Sequence, residues 1–167
     1  MSRKHPSQGP DRDARRRPPN PRHEDNYPHA EKARKSRVCT ECGLVLHAGR
    51  WHRDAPPAGE VDATLCPACT RIRDGYAAGR LRLDAGFALH RDEIVRMIRN
   101  EEEAETAEHP LERLMGIEDV EGGIVVTTTG IHLARRIANK LERRFHRQAR
   151  FHYADDDQLL QVEWERE

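Results

Sequence analysis

All four cysteines of this 167-residue chain fall into two C-x-x-C pairs, Cys39-Thr40-Glu41-Cys42-Gly43 and Cys66-Pro67-Ala68-Cys69. Four thiolates satisfy one tetrahedral zinc ion at about 2.3 Å if the intervening chain folds back. Gly43 permits the positive φ with which a knuckle turns its N–H groups toward sulfur, and Pro67 stiffens the second knuckle. The competing chemistry is a redox dithiol. It requires a C-x-x-C that opens a helix after a buried strand, and neither flank carries such an apolar strand. Four thiolates close the coordination shell, so the ion is expected to be structural, not catalytic. His47 and His52 are expected at the surface or behind the ligands.

The elements that must hold these residues are short. Leu44-Val45-Leu46-His47 and Arg50-Trp51-His52 alternate across Ala48-Gly49 and read as a hairpin, with Trp51 expected to cover the metal. After Cys69, the segment from Thr70 reads as a helical turn ending near Gly79, and Arg71, Arg73, Arg80 and Arg82 are expected close to the ribbon, making it locally basic. From Asp92 to Glu108 the periodicity predicts a helix, stopped by His109-Pro110. Leu111–Val120 and Ile124–Thr128 read as strands joined at Glu121-Gly122-Gly123. A second helix is expected from Gly130 to Arg147 with Thr129 as its N-cap, then a hairpin of Arg150–Ala154 and Leu159–Glu165 across three aspartates. His132 and His146 have no carboxylate partner that the sequence identifies.

Charged residues make up 35% of the chain and aromatics 5%, so the core must be modest, and a structural metal would offset this locally. Cysteines kept for a metal suit a reducing, cytoplasmic compartment. No apolar run approaches the roughly 18 residues of a membrane span, and no paired-carboxylate or nucleophile–base pattern marks an enzyme. Net charge is zero, but it is unevenly spread: residues 1–50 hold 12 Lys/Arg and 6 Asp/Glu, and residues 91–167 hold 12 and 18. Binding must therefore be argued from local faces.

Three such faces are basic. Residues 1–36 read as a disordered arm carrying Arg15-Arg16-Arg17. The ribbon offers Arg50, Arg53, Arg71 and Arg73. The second helix gathers Arg136, Lys140, Arg143, Arg144 and Arg147 on one flank with no interleaved acid, and such a ridge repels itself unless something anionic lies alongside. Phosphates along an RNA backbone would suit.

The two cysteine knuckles, the basic N-terminus and the run Ile124-Val125-Val126-Thr127-Thr128-Thr129 leading into Ile131-His132-Leu133-Ala134-Arg135-Arg136-Ile137 resemble a bacterial family of NMD-type zinc proteins affecting ribosome stability and mRNA decay. The likeness extends more distantly to the zinc-containing part of the archaeal and eukaryotic adaptor that escorts the large ribosomal subunit. It implies association with the ribosome, rRNA or mRNA. The acidic surface elsewhere on the chain would suit basic ribosomal proteins.

The expected architecture is α+β. A zinc ribbon (37–83) precedes an α-β-β-α-β-β domain (84–167) with a four-stranded, largely antiparallel sheet and both helices on one face. The expected function is a non-enzymatic, zinc-stabilised, ribosome-associated RNA-binding factor with no membrane and no small-molecule substrate. The alternative is a protein-interaction module that docks the zinc ribbon and the acidic helix Glu101–Glu108 on a transcription or stress-response partner.

Overall fold

Short alternating segments and two amphipathic helices sort this chain into two sheets, one around the cysteines and one under the helices. The computed structural model describes residues 35–154 and 158–164, so residues 1–34 of the basic arm and the aspartate turn lie outside the described residues, while Ser36, assigned to the arm, opens the first strand. The order is β1 (Ser36–Cys39), β2 (Val45–His47), β3 (Arg50–His52), β4 (Val61–Thr64), α1 (Pro67–Asp74), β5 (Gly79–Asp84), a 3-10 helix (Ala85–His90), α2 (Arg91–Glu108), β6 (Leu114–Val120), β7 (Gly123–Thr128), α3 (Ile131–Phe145), β8 (Ala149–Ala154) and β9 (Leu159–Trp164).

The first sheet has the order β3-β2-β1-β4. The β2–β3 hairpin is present as expected, and Trp51 packs on the cysteine cluster. Flanking it are two strands that the sequence reading did not contain, and β1 and β4 pair in parallel. They are brief and lack the alternation that marks a half-buried strand: β4 reads Val-Asp-Ala-Thr with its middle residues exposed.

The second sheet has five strands, β6-β7-β5-β9-β8, not four. The additional strand, β5, is at its centre, antiparallel to β7 and parallel to β9. A domain boundary after residue 83 would cut through this strand. Its sequence, Gly-Arg-Leu-Arg-Leu-Asp, has period two, so Leu81 and Leu83 are fully buried while Arg80 and Arg82 point the other way and are exposed. Burying two leucines at about 1.5–3 kcal/mol each outweighs the poor strand propensity of the flanking glycine and aspartate.

The apolar faces of α2 and α3 close over Leu81, Leu83, Ile124, Val126, Leu160 and Val162 to form the main core. Ile94 and Ile98 come from α2, and Leu133, Ile137 and Leu141 from α3. Both helices thus lie on one side of the sheet, and its other side carries the exposed side chains of Arg80, Arg82, Glu118, Arg150, His152, Gln161 and Glu163. Among the described residues, no helix is long and apolar enough to cross a membrane.

Candidate metal centre

The first knuckle is a turn after β1. Cys39 N–H donates to Leu44 O and Gly43 N–H to Cys39 O, and Gly43 takes the expected positive φ of 74°. The second knuckle is the start of α1, where Cys66 is the N-cap, Pro67 sits in the first turn and Cys69 N–H donates to Cys66 Sγ at 3.4 Å. The knuckles meet because β1 and β4 pair in parallel, with Cys39 opposite Thr64. Cys66 N–H then donates to Cys39 Sγ at 3.2 Å.

The four sulfurs all lie within 4.8 Å of one another. Cys42 Sγ and Cys66 Sγ are 3.6 Å apart, and no disulfide is formed. Tetrahedral bonds of about 2.3 Å put sulfurs about 3.8 Å apart, so the cluster is close to the spacing that a four-thiolate ion requires. These residues can hold a metal ion. The second pair does open a helix after a strand, as a redox dithiol would, but its sulfurs face the other knuckle and not solvent.

Local fields differ among the thiols. Burial raises the Cys39 pKa, yet N–H groups of Cys66, Cys42 and Glu41 outweigh it and bring the thiol down to about 6. Burial pushes Cys66 and Cys69 up. One ligand is thus poised as thiolate, and two hold protons that a metal must displace.

A fifth residue completes the site, one that no motif or spacing announces. Arg113 reaches from the segment before β6, donating from Nη2 to Cys42 Sγ at 3.0 Å and from Nη1 to Cys69 Sγ at 3.5 Å. Its Nε donates to Pro110 O, which fixes the fork. Burial works against its charge, but the Cys42 hydrogen bond and the thiolates' field prevail and raise its pKa. Leu111 packs on the cysteine cluster from the same segment.

Residues 111–113 are in turn locked to the threonine run. Thr129 is not the N-cap of α3: its hydroxyl donates to Leu111 O and accepts from Arg113 N–H. Gly130 is the N-cap, and the Glu112 carboxylate takes the Leu133 N–H at 2.9 Å. A Cβ on Gly130 would fall about 2.1 Å from that carboxylate, so a larger residue would push Glu112 off the Leu133 N–H. The distinctive Thr-Thr-Thr-Gly stretch is a bracket that carries Arg113 to the sulfurs. His47 and His52 take no part; His47 pairs with Ser36 Oγ and His52 with His47 O.

The basic residues sort into two groups. Arg50, Arg53 and Arg73 are exposed, as expected. Arg71 is not: it is 2% exposed and directed to Tyr76, because it lies on the inward side of α1. On α3, Arg136 bonds Glu101 and Glu105, Lys140 pairs with Glu101 and Arg144 with Glu93. Arg147 forms a two-point bond with Asp84 over the Phe87 ring. Arg143 alone of the ridge is exposed without an ion pair among the described residues. The anion alongside the ridge is the chain itself, chiefly α2. The same pairs occupy the acidic helix, and Glu102 accepts from Leu114 N–H. The two charged helices are each other's partners.

Comparison with protein-family models, curated proteins and solved structures finds no match.

Proposed function

We propose that this chain is a non-enzymatic RNA- or ribosome-associated factor built on one structural zinc ion. Zinc fits because four soft thiolates at tetrahedral spacing suit it and leave no position for substrate. Binding it supplies on the order of 10 kcal/mol, which a ribbon with so small an apolar cluster needs.

The observation that carries the RNA reading is the uncovered face of the five-stranded sheet. Arg80 and Arg82 stand two residues apart on its central strand, exposed and without an ion pair among the described residues. Their lateral neighbours are Thr127 and Val125 on one side and Gln161 and Glu163 on the other, which leaves the guanidinium groups open to phosphate. Arg50, Arg53 and Arg73 on the ribbon are further exposed cations, whereas Arg143 on α3 lies on the helix-covered side and does not belong to this face. The residues on this face that would touch RNA read phosphate and shape, since no aromatic lies on β5, β7 or β9 beside the arginines.

Sucrose-gradient sedimentation of lysate tests this directly. The chain should travel with ribosomal particles at low salt and leave them at high salt, and Arg80→Glu/Arg82→Glu should remain at the top in both. Wild-type chain that stays at the top at low salt overturns the reading.

A further inference from the structure

A cleft of about 580 Å³ lies between the β2–β3 hairpin and the loop that delivers Arg113 to the metal centre. Its volume is within the range of pockets that hold small ligands. The ribbon wall consists of Gly49, Arg50 and Trp51, and the opposing wall is formed by the end of α2, residues 109–112 and His132. The two walls differ in chemistry.

On the ribbon side, Arg50 is exposed and has no ion pair among the described residues. Trp51 is held on the cysteine cluster with its indole Nε1 shielded, so it serves the cleft as an apolar wall. On the other side, Glu105 is already bonded to Arg136 at 2.7 Å. Two carboxylates remain. Glu112 Oε2 accepts from Leu133 N–H and its Oε1 has no hydrogen bond among the described residues, while Glu108 is exposed and unpaired there. A purely cationic ligand would be set against Arg50, and a purely anionic one against Glu108 and Glu112. The lining instead suits a ligand with a donor edge, a flat apolar body and an anionic end.

We propose that this cleft binds one nucleotide whose base carries an exocyclic amino group. The amine faces Glu108 and Glu112, the base lies against Trp51, and Arg50 takes the phosphate. The nucleotide is either free or an unpaired residue of RNA. This goes beyond the phosphate-binding sheet face and shares only Arg50 with the residues proposed there.

The test is calorimetric titration of the zinc-loaded full chain with AMP, GMP, CMP and UMP, and with oligo(A) and oligo(U). UMP and oligo(U) are the controls because uracil has no exocyclic amine. Amino-bearing nucleotides should bind at least about tenfold more tightly than UMP, Arg50→Ala should weaken them about tenfold, and Glu108→Gln should narrow the gap to UMP. Both substitutions are at exposed positions, and unchanged zinc content and melting confirm the fold. Binding of AMP assigns the cleft to mononucleotides; binding of oligo(A) without AMP assigns it to an unpaired RNA base. Either supports the proposal. Equal binding of AMP and UMP, no binding of any nucleotide, or binding of a tri-arginine peptide in their place overturns it. Sedimentation that still depends on Arg80 and Arg82 then shows that the sheet-face reading survives, whereas nucleotide binding without sedimentation removes that reading alone.

Discussion

Arg113 Nη2 lies 3.0 Å from Cys42 Sγ, joining residues 71 apart in the chain. Four thiolates around a divalent ion carry two net negative charges, and a half-buried guanidinium offsets one of them. The metal centre and the α+β domain are thereby coupled: the segment that carries Arg113 is bonded to Thr129, and Thr129 leads directly into α3.

Arg113→Ala should therefore weaken the metal site and the fold together. Zinc affinity in a chelator competition should drop about 10- to 100-fold, and urea unfolding should show a loss of about 1–3 kcal/mol. Arg113→Lys should recover only part, because an ammonium cannot span both sulfurs. Unchanged chelator competition in Arg113→Ala would show that the contact does no more than fill space.

Metal binding should release protons. Burial keeps Cys66 and Cys69 protonated at neutral pH, while Cys39, at about 6 in the folded knuckle, gives up a further proton only where metal binding starts from the unfolded ribbon. At pH 7, about two or more protons should appear per zinc in a weakly buffered titration. Release of fewer than about one would contradict this distribution of charge.

Glu112 gives the fold a pH dependence of known sign. Burial raises its pKa above the ordinary 4.5, against the Leu133 N–H and the His132 charge, which favour the carboxylate. A carboxyl whose folded pKa is raised leaves stability intact below the unfolded value and erodes it as pH rises through the folded one. Glu112→Gln keeps an acceptor for Leu133 N–H without the charge. Thermal melts of the variant and the wild type should coincide at about pH 4 and separate toward pH 7 with the variant higher. A variant that loses ground as pH rises would mean that the ionised form is the stabilising one.

The arginines of α3 and β5 should respond in opposite ways. Arg136→Ala leaves Glu105, which is almost wholly buried, without its cation, and should cost about 1–3 kcal/mol in denaturant titration. Arg80→Glu/Arg82→Glu should keep zinc and melting temperature but abolish RNA binding in fluorescence anisotropy at low salt; Arg80→Ala/Arg82→Ala should reduce the salt slope by about 2. If Arg80→Glu/Arg82→Glu binds RNA as the wild type does, the sheet face is not the contact.

Much of the fold could be read in the sequence because its signals are local. Cysteine spacing, the Ala48-Gly49 turn, the periodicity of α2 and α3, the β-branched run of β7 and the alternation of β9 each need only a few neighbouring residues. The central strand β5 escaped because two arginines in a basic stretch outweigh two leucines until a partner strand is known. Arg113 escaped because what makes it part of the site is a distance across the fold, and no spacing rule connects it to Cys42 or Cys69. The ridge on α3 was visible as a line of positive charge, but the glutamates that neutralise it lie on another helix about 31 to 51 residues earlier, and a one-dimensional pattern does not pair them.

Elemental analysis of the purified chain bears most directly on the account as a whole. It predicts about one zinc per chain, bound until a chelator or acid removes it, with the ribbon unfolding as the metal leaves. Purified, folded chain with no stoichiometric metal, and with Cys39, Cys42, Cys66 and Cys69 all alkylated readily in the native state, would contradict it.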